Sequence, residues 1–284
     1  MGVDAMARRV RRGLLAALVA LLVPALAGCG SGPPASPERV VVVPRAAGNP
    51  LGYVARLPPG YSAQGQHRYP TLVFLHGRGE RGAGDPAGLA ELMSVGLPGL
   101  ITARRLPRAA GPLLILMPQT DGESWDPALL HRWLATVLPR YPVDPDRTYL
   151  TGLSMGGGGA VAYLAAYGSA HQFAAVATVA ENWTPQPVPL GLPPCAQMGS
   201  TPLWAFHGDL DETVPTQLSI NLVAYLNAHC QRTEPARLTI FLSTFHNSWD
   251  RTYDLSGMDP GATDTDWDPY TTDVYTWLLR HRRG

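Results

Sequence analysis

The chain has 284 residues, of which 45% are hydrophobic and 15% are charged, a composition that can bury one large core. Its 22 basic and 22 acidic residues give a formal net charge of zero, so no basic excess favours nucleic acid as a partner. All the basic residues are arginine. The absence of lysine excludes mechanisms that need an amine, such as a Schiff base, a Ser-Lys dyad or a Walker-type phosphate site.

The N-terminal segment has the composition of an export signal. Four arginines, at positions 8, 9, 11 and 12, precede an apolar run over residues 14–27 that ends in small residues. This is the order of a charged n-region, an apolar h-region and a cleavage site. A membrane-spanning helix needs about 20 apolar residues, whereas this run is shorter and contains Pro24. We therefore predict a signal peptide over residues 1–28, a flexible linker over residues 29–39 and one folded domain over residues 40–284.

The end of this segment, Leu26-Ala27-Gly28-Cys29, resembles the lipobox of bacterial lipoproteins. In such signals the cysteine thiol is acylated, and the cysteine becomes the first residue after cleavage. The resemblance implies that a lipid on Cys29 anchors the exported protein to the outer face of the bacterial cell membrane. An ordinary secretory signal that contains a cysteine is the alternative. The paired arginines leave the route open between Sec and twin-arginine export.

Two cysteines remain after cleavage and acylation, Cys195 and Cys230. Because exported proteins fold in an oxidising compartment, we predict that these two cysteines form a disulfide. Two separate buried thiols are the alternative. A zinc site is not expected, because no histidine lies at ligand spacing from either cysteine.

Short apolar runs alternate with helical segments along the rest of the chain. Strands are predicted over residues 40–45, 51–57, 71–76, 113–117, 148–153, 174–180, 203–206 and 237–245, and helices over residues 127–138, 157–167, 216–228 and 270–280. Several strands are apolar throughout, which is typical of strands buried on both faces of a parallel sheet. The alternation predicts a doubly wound, mostly parallel α/β sheet in a single domain. Residues 185–201, with five prolines, are predicted to form a long loop that could serve as a lid or pocket wall.

The pattern Gly152-Leu153-Ser154-Met155-Gly156 lies between a predicted strand and a predicted helix. A nucleophile at a sharp strand-to-helix turn needs small residues two positions before and after it, because larger side chains would collide with the strand and helix. Gly152 and Gly156 satisfy this requirement. The N-terminus of the helix also stabilises negative charge that develops during acyl transfer. We therefore predict Ser154 as a nucleophile, with a serine in a glycine-rich turn as the alternative.

A serine nucleophile needs a base, and histidine is the side chain suited to this near neutral pH. His76 and His207 each end an apolar strand in a His-Gly pair, which indicates a structural role. Five further histidines lie in loops or on polar helix faces and are expected to be solvated: His67, His131, His171, His229 and His281. His246 follows the last predicted strand and is the remaining candidate.

An orienting acid is expected between the serine and the histidine in chain order. Residues 207–215 follow a predicted strand and contain three carboxylates, Asp209, Asp211 and Glu212. All three have the required position in the order Ser, Asp, His.

An oxyanion hole needs two backbone N–H donors directed at the carbonyl oxygen as it becomes tetrahedral. Met155, the residue after the nucleophile, is expected to supply one donor. The loop over residues 74–82 is expected to supply the other through the backbone of Arg78, with Gly77 as the neighbouring alternative. We predict that the charged side chains of Arg78, Glu80 and Arg81 form a surface ion-pair cluster, or else a substrate rim.

Taken together, these segments resemble the bacterial branch of the α/β-hydrolase superfamily that holds phospholipase/carboxylesterase-type enzymes, dienelactone-hydrolase-like proteins and "predicted peptidase" esterases. The matching segments are residues 57–61, 74–82, 152–156, 207–215 and 246–253, which span most of the predicted domain. In such hydrolases the base follows the last strand, which selects His246. The acid lies three residues before a Val-Pro pair, which selects Asp211. The chain differs at Phe245, where relatives often have glycine.

The resemblance implies an α/β-hydrolase fold and a carboxylic-ester hydrolase that needs no cofactor. Ser154 attacks, His246 relays the proton, Asp211 fixes the imidazole, and water releases the acyl group. Feruloyl and acetyl-xylan esterases, short-chain carboxylesterases and some peptidases share this outline, so the substrate is a small-molecule or polysaccharide-linked ester. A serine peptidase on the same fold and a non-catalytic surface-binding lipoprotein are the alternatives. We expect a monomer that contacts the membrane through its lipid anchor and does not bind nucleic acid.

Two further groups of residues lie outside these motifs. Trp125, Trp183, Trp249 and Trp267 follow predicted strands, and we expect them either to line an acyl or sugar pocket or to anchor loops. Six aspartates lie between residues 254 and 273, at positions 254, 259, 264, 266, 268 and 273. Their spacing does not match an EF-hand, so we predict a solvated surface loop and no metal site.

Overall fold

The computed structural model describes residues 36–168, 173–183, 194–198 and 200–283. The predicted signal peptide, Cys29 and most of the predicted linker lie outside the described residues, as do residues 185–193 and 199 of the predicted long loop. In the described part of the chain, no helix combines the length and the apolar composition needed to cross a membrane.

Within these ranges, eight strands form one sheet with the order β1-β2-β4-β3-β5-β6-β7-β8. The strands are β1 (Arg39–Val43), β2 (Tyr53–Leu57), β3 (Tyr69–Leu75), β4 (Leu114–Pro118), β5 (Val143–Leu153), β6 (Ala175–Val179), β7 (Leu203–Gly208) and β8 (Arg237–Phe241). Strand β2 pairs antiparallel with β1 and β4, and every other pairing is parallel. The predicted doubly wound, mostly parallel sheet is therefore confirmed.

Eight α-helices accompany the sheet in the residues that the structure describes. They are α1 (Pro86–Leu92), α2 (Gly96–Thr102), α3 (Pro127–Val137), α4 (Met155–Tyr167), α5 (Pro194–Met198), α6 (Gln217–His229), α7 (Trp249–Tyr253) and α8 (Val274–Arg280). Successive residues of a strand face opposite sides of the sheet. In β3, Val73 and Leu75 share a buried cluster with α3, α4 and α6, whereas Leu72 and Phe74 share another with α1, α2 and α8. Both faces of the sheet are thus covered by helices.

Some predicted boundaries are wrong for identifiable reasons. The last helix begins at Val274, four residues later than predicted, because the Asp273 side chain accepts a hydrogen bond from the Thr276 N–H and caps it there. Strand β8 ends at Phe241 rather than at residue 245. The chain leaves it through Ser243, which has a positive φ of 52°. Four helices of five or seven residues, α1, α2, α5 and α7, were not predicted, because they are too short to show a helical period.

The aspartate-rich segment after residue 254 is not simply a solvated loop. The backbone N–H groups of Asp264 and Asp268 donate hydrogen bonds to the carbonyls of Ile240 and Leu238 in β8. The carboxylate of Asp268 also accepts a hydrogen bond from the Leu238 N–H, at 2.9 Å. The segment therefore lies along the free side of β8 and covers an edge strand that would otherwise expose unpaired backbone groups.

The predicted disulfide is present in the structure. Cys195, in α5, is bonded to Cys230, which follows α6, with a Cα–Cα distance of 4.9 Å. The bond closes a loop with a sequence separation of 35 residues, and this loop includes β7 and residues 209–216.

Replacing both cysteines by serine is expected to lower the free energy of unfolding by about 3–4 kcal/mol, because the open chain gains entropy when it unfolds. Denaturant unfolding of the purified protein measures this difference. The double variant should match the wild-type protein measured in excess reductant. Equal stabilities of the oxidised and reduced wild-type protein would show that the bond has no stabilising role.

Candidate active site

Ser154 occupies a strained turn between β5 and α4. Its backbone has φ 50° and ψ −118°, a conformation that non-glycine residues rarely adopt. The turn is held because the Ser154 N–H donates a hydrogen bond to the carbonyl of Val179, at 2.8 Å. This backbone conformation directs the hydroxyl of Ser154 away from the sheet and towards the loops at the carboxyl ends of the strands.

The glycines on either side of Ser154 are required by close backbone contacts. A Cβ atom on Gly152 would lie 2.3 Å from the carbonyl oxygen of Gly156. A Cβ atom on Gly156 would lie 2.1 Å from the carbonyl oxygen of Leu75. Both contacts involve main-chain atoms of the central strands and α4, so no side-chain rotation can relieve them.

Gly156→Ala is expected to lower hydrolytic activity by at least about 100-fold and to destabilise the fold by about 1–3 kcal/mol, because β3 or α4 must move to admit the methyl group. Kinetic assays and thermal unfolding measure the two effects. Gly65→Ala is the matched control, because a Cβ at Gly65 makes only ordinary contacts, with the nearest atom at 3.5 Å. Wild-type activity in the Gly156 variant would contradict the steric account.

His246 lies in the loop after β8 and contacts both of the other predicted triad residues. Its Nε2 atom is 3.0 Å from Oγ of Ser154, and its Nδ1 atom is 2.7 Å from Oδ2 of Asp211. An ionised carboxylate only accepts hydrogen bonds, so Nδ1 carries the proton and Nε2 is free to accept the proton of Ser154. Trp249 packs edge-to-face on the imidazole, with a centroid distance of 5.1 Å. The imidazole is therefore fixed in the tautomer and orientation of a general base.

Of the three candidate acids, Asp211 is the one that shares a hydrogen bond with His246. Its buried carboxylate accepts backbone N–H groups of Thr213 and Val214 at Oδ1, and the imidazoles of His246 and His207 at Oδ2. Burial by itself opposes ionisation. The hydrogen bonds from His207, the Val214 N–H and His246 outweigh it, and they lower the pKa of Asp211 to about 2.

The other two candidate acids form no hydrogen bond with His246. Asp209 accepts a hydrogen bond from the Thr244 N–H, at 2.9 Å, and so holds the loop that carries His246. The side chain of Glu212 is exposed.

Ser154 and His246 open onto a cleft with a volume of about 430 Å³. Met155 and Arg78 line the same cleft. Met155 is the first residue of α4, and the first N–H groups of a helix have no partner within it. Arg78 begins a 3₁₀ turn over Arg78–Glu80. Their roles as oxyanion donors remain proposals.

The charged residues of the loop over residues 74–82 divide into two sets. The side chains of Arg78 and Arg81 form ion pairs with Glu123 at the mouth of the cleft. Glu80 is not part of that cluster. Its half-buried carboxylate lines the cleft, and burial raises its pKa. The prediction of a surface cluster thus holds for Arg78 and Arg81, with Glu123 as the partner, whereas Glu80 lines the pocket.

The remaining histidines do not compete for the role of base. His76 is fully buried, its Nε2 accepts the Thr120 N–H, and burial lowers its pKa to about 4. His131 stacks on Tyr167, and His281 bonds to Glu234, so the expectation that these two are solvated is wrong. His171 lies outside the described residues.

Two residues that lie behind Asp211 were not predicted from the sequence. Glu181 follows β6 and is fully buried, and Ser219 is buried in α6. A signal for Glu181 was available, because a charged residue directly after an apolar parallel strand lies at the sheet edge where such folds bind ligands. Ser219 carried no signal, since a serine within a helical segment is ordinary. Among the described residues, no group of three or more His, Cys, Asp or Glu side chains is arranged to hold a metal ion.

Comparisons with known proteins show the fold. No family model matches the sequence, and no curated protein matches it. A thermostable esterase superposes with a TM-score of 0.57 at 21% identity, over 87% of this chain and 64% of that one, so the chain spans less than two thirds of that protein. A ferulic acid esterase superposes with a TM-score of 0.53 at 18% identity, over 86% of this chain and 98% of its own.

A third solved structure agrees with these two. A poly(3-hydroxybutyrate) depolymerase from Bordetella parapertussis superposes with a TM-score of 0.50 at 17% identity, over 81% of this chain and 92% of its own. Together with the strand order and the turn at Ser154, these likenesses show that the chain has the α/β-hydrolase fold.

Proposed function

We propose that this chain of α/β-hydrolase fold is a serine hydrolase that cleaves carboxylic esters. The observation that carries the proposal is the unbroken hydrogen-bonded chain from Ser154 through His246 to Asp211 beside an open cleft. A serine in a glycine-rich turn with no catalytic role does not need a correctly oriented base, nor a buried carboxylate behind that base. The three residues therefore have the arrangement of a catalytic triad.

In the proposed reaction, Oγ of Ser154 attacks the ester carbonyl while Nε2 of His246 accepts its proton. Asp211 stabilises the imidazolium that results. The N–H groups of Met155 and Arg78 donate to the oxygen of the tetrahedral intermediate. As the intermediate collapses, His246 donates the proton to the departing alcohol, and an acyl group remains on Ser154. Water then attacks this acyl-enzyme while Nε2 of His246 accepts one of its protons. The bond between the acyl group and Oγ of Ser154 breaks, His246 returns the proton to Oγ, and the acid product leaves.

The substrate class follows from the chemistry of the site and the names of its structural neighbours. The cleft is open and contains Leu153, Val214 and Trp249 as apolar surface, which suits a small acyl group or an aromatic acid. We propose a small-molecule or polysaccharide-linked ester. No observation in the site favours a peptide amide.

A panel of chromogenic substrates tests this proposal. It includes p-nitrophenyl acetate, butyrate and octanoate, methyl ferulate, and a peptide p-nitroanilide. We expect turnover of at least one ester and none of the anilide. Turnover of the anilide without any ester would identify a serine peptidase instead, and turnover of neither would support a non-catalytic protein.

We also propose that Cys29 is acylated and anchors the protein to the outer face of the bacterial membrane, on the basis of its sequence context. Cells fed an alkyne-labelled fatty acid should incorporate the label into the wild-type protein and not into Cys29→Ser. The variant should also leave the membrane fraction. Equal labelling of both proteins would show that Cys29 is not the site of lipid attachment.

A further inference from the structure

A second buried chain of hydrogen bonds lies behind Asp211. Oε1 of Glu181, after β6, is 3.1 Å from Oγ of Ser219 in α6. That hydroxyl is 2.7 Å from Nδ1 of His207, in β7, and Nε2 of His207 is 3.1 Å from Oδ2 of Asp211. Glu181, Ser219 and His207 are each 0% exposed. The proposed triad is therefore continued by three more side chains that have no access to solvent.

The hydrogen-bond acceptors in this buried network determine how many protons its side chains carry. Nε2 of His207 faces only acceptors, the ionised Asp211 and the carbonyl of Val214 at 2.9 Å, so it carries a proton. The hydroxyl of Ser219 has one proton, yet it lies between Nδ1 of His207 and Oε1 of Glu181. Unless one of those two atoms is also protonated, one acceptor is left without a donor. A buried acceptor without a donor is costly, so the chain holds one further proton.

Burial of Glu181 places that proton on its carboxyl group. Burial is the largest influence on this group and outweighs the Trp183 N–H, Ser219 and His207, which favour ionisation, so the pKa rises to about 7. Helix α4 presents only glycine there, since a Cβ on Gly157 would lie 2.9 Å from Cβ of Glu181. Among the described residues, the titratable side chains that continue the chain beyond His207 are Asp211 and His246.

We propose that Glu181, Ser219 and His207 are positioning residues for the triad, and that the proton they share sets the charge behind Asp211. This inference rests on the proposed function. With the proton present, Glu181 donates to Ser219, Ser219 donates to His207, and neutral His207 donates to Asp211. Loss of the proton leaves a negative charge on Glu181. This charge adds to the electrostatic stabilisation of the His246 imidazolium during acyl transfer.

Glu181→Gln is the variant that separates the two protonation states. Its amide can donate to Ser219 and accept from the Trp183 N–H, and so imitates the protonated acid without being able to ionise. The kcat/KM values of wild type and variant should coincide below about pH 6 and differ by about 3- to 10-fold above about pH 8, with the wild type faster. Glu91→Gln, an exposed change on α1, is the matched control and should follow the wild-type profile.

Superimposable wild-type and Glu181→Gln profiles from pH 5 to 10 would overturn the inference. Ser219→Ala gives a second test, because it removes the hydroxyl that links Glu181 to His207. In the Ser219→Ala background, Glu181→Gln should change kcat/KM above about pH 8 by less than about twofold. A 3- to 10-fold effect of Glu181→Gln in that background would equally contradict the relay.

Thermal unfolding shows whether Glu181→Gln folds. It also tests the direction in which its stability differs from that of the wild type. The unfolded Glu181 ionises near its ordinary pKa of 4.5, whereas the folded one retains its proton up to about pH 7. Its stabilising contribution is therefore complete below about pH 4.5 and is lost as the pH rises to about 7. Glu181→Gln should remove this loss, so that its Tm exceeds that of the wild type at pH 8 by roughly 5–10 °C.

A measurement without substrate separates this inference from the proposed function. The proton on Nδ1 of His246 lies in a 2.7 Å hydrogen bond to Asp211 and should give a downfield NMR resonance, which His246→Ala assigns by its loss. The pH dependence of that resonance should differ between the wild type and Glu181→Gln, because only the wild type can ionise at position 181. If no ester is hydrolysed and the two proteins still differ in this way, the proposed function fails and the coupling stands. If esters are hydrolysed and the resonance behaves alike in both proteins, the coupling fails.

Discussion

Ser154→Ala is expected to lower kcat for ester hydrolysis by about five to six orders of magnitude, since the triad acts as a unit and no other group can form the acyl-enzyme. The substrate should still bind, because the cleft walls around Met155 and Trp249 are unchanged. Steady-state kinetics with an activated aryl ester measure the loss. The strained turn at position 154 is kept by an alanine, so thermal unfolding should differ little from wild type.

Ser62→Ala is the control for this variant, because Ser62 is exposed and remote from the cleft. Its kinetics should match the wild type. A Ser154→Ala protein that retains more than a hundredth of wild-type kcat would contradict the assignment of the nucleophile. Residual hydrolysis at the level of a contaminating enzyme would be recognised because it would not saturate with the same KM.

Asp211→Asn is expected to lower kcat by about 10⁴-fold. The N–H groups of Thr213 and Val214 fix an oxygen at the Oδ1 position, so the amide NH₂ must face both His246 and His207. A donor at that position forces the proton of His246 onto Nε2. A protonated Nε2 can no longer accept the proton of Ser154. The imidazole is then present but in the wrong tautomer.

Asp209→Asn is the matched control for Asp211→Asn. The amide oxygen of the new residue can still accept the Thr244 N–H, so we expect less than a tenfold change in kcat. A large loss in Asp209→Asn together with a small loss in Asp211→Asn would reverse the assignment of the acid. Comparing the two variants in one assay separates an effect on the tautomer of His246 from an effect on the loop that carries His246.

Most of the sheet could be predicted from the sequence because strands β2, β3, β4, β6 and β7 are buried on both faces. Runs such as residues 71–76 and 113–117 are largely apolar. The strands β3 and β4 begin and end within one or two residues of these predicted bounds. The short helices could not be predicted, because five or seven residues do not show a hydrophobic period. The end of β8 was misplaced because the turn at Ser243 depends on tertiary contacts, not on a local glycine or proline.

The proposed triad could be anticipated because each member lies after a predicted strand, and parallel strands bring their carboxyl ends to one edge. The sequence could not predict the further hydrogen-bond partners of Asp211 and His207. The fourfold hydrogen bonding of Asp211, and its link through His207 to Glu181, combine residues from β6, β7 and α6. Such a combination depends on the packing of α6 against the sheet, which no local pattern encodes.

Covalent capture is the most direct test of the central claim that Ser154 is an activated nucleophile. The protein is incubated with a fluorophosphonate, and intact mass and peptide mapping then locate the adduct. The account predicts stoichiometric addition at Ser154 in the wild type, no addition in Ser154→Ala, and strongly slowed addition in His246→Ala. Addition at another serine, or equal labelling of wild type and Ser154→Ala, would contradict it.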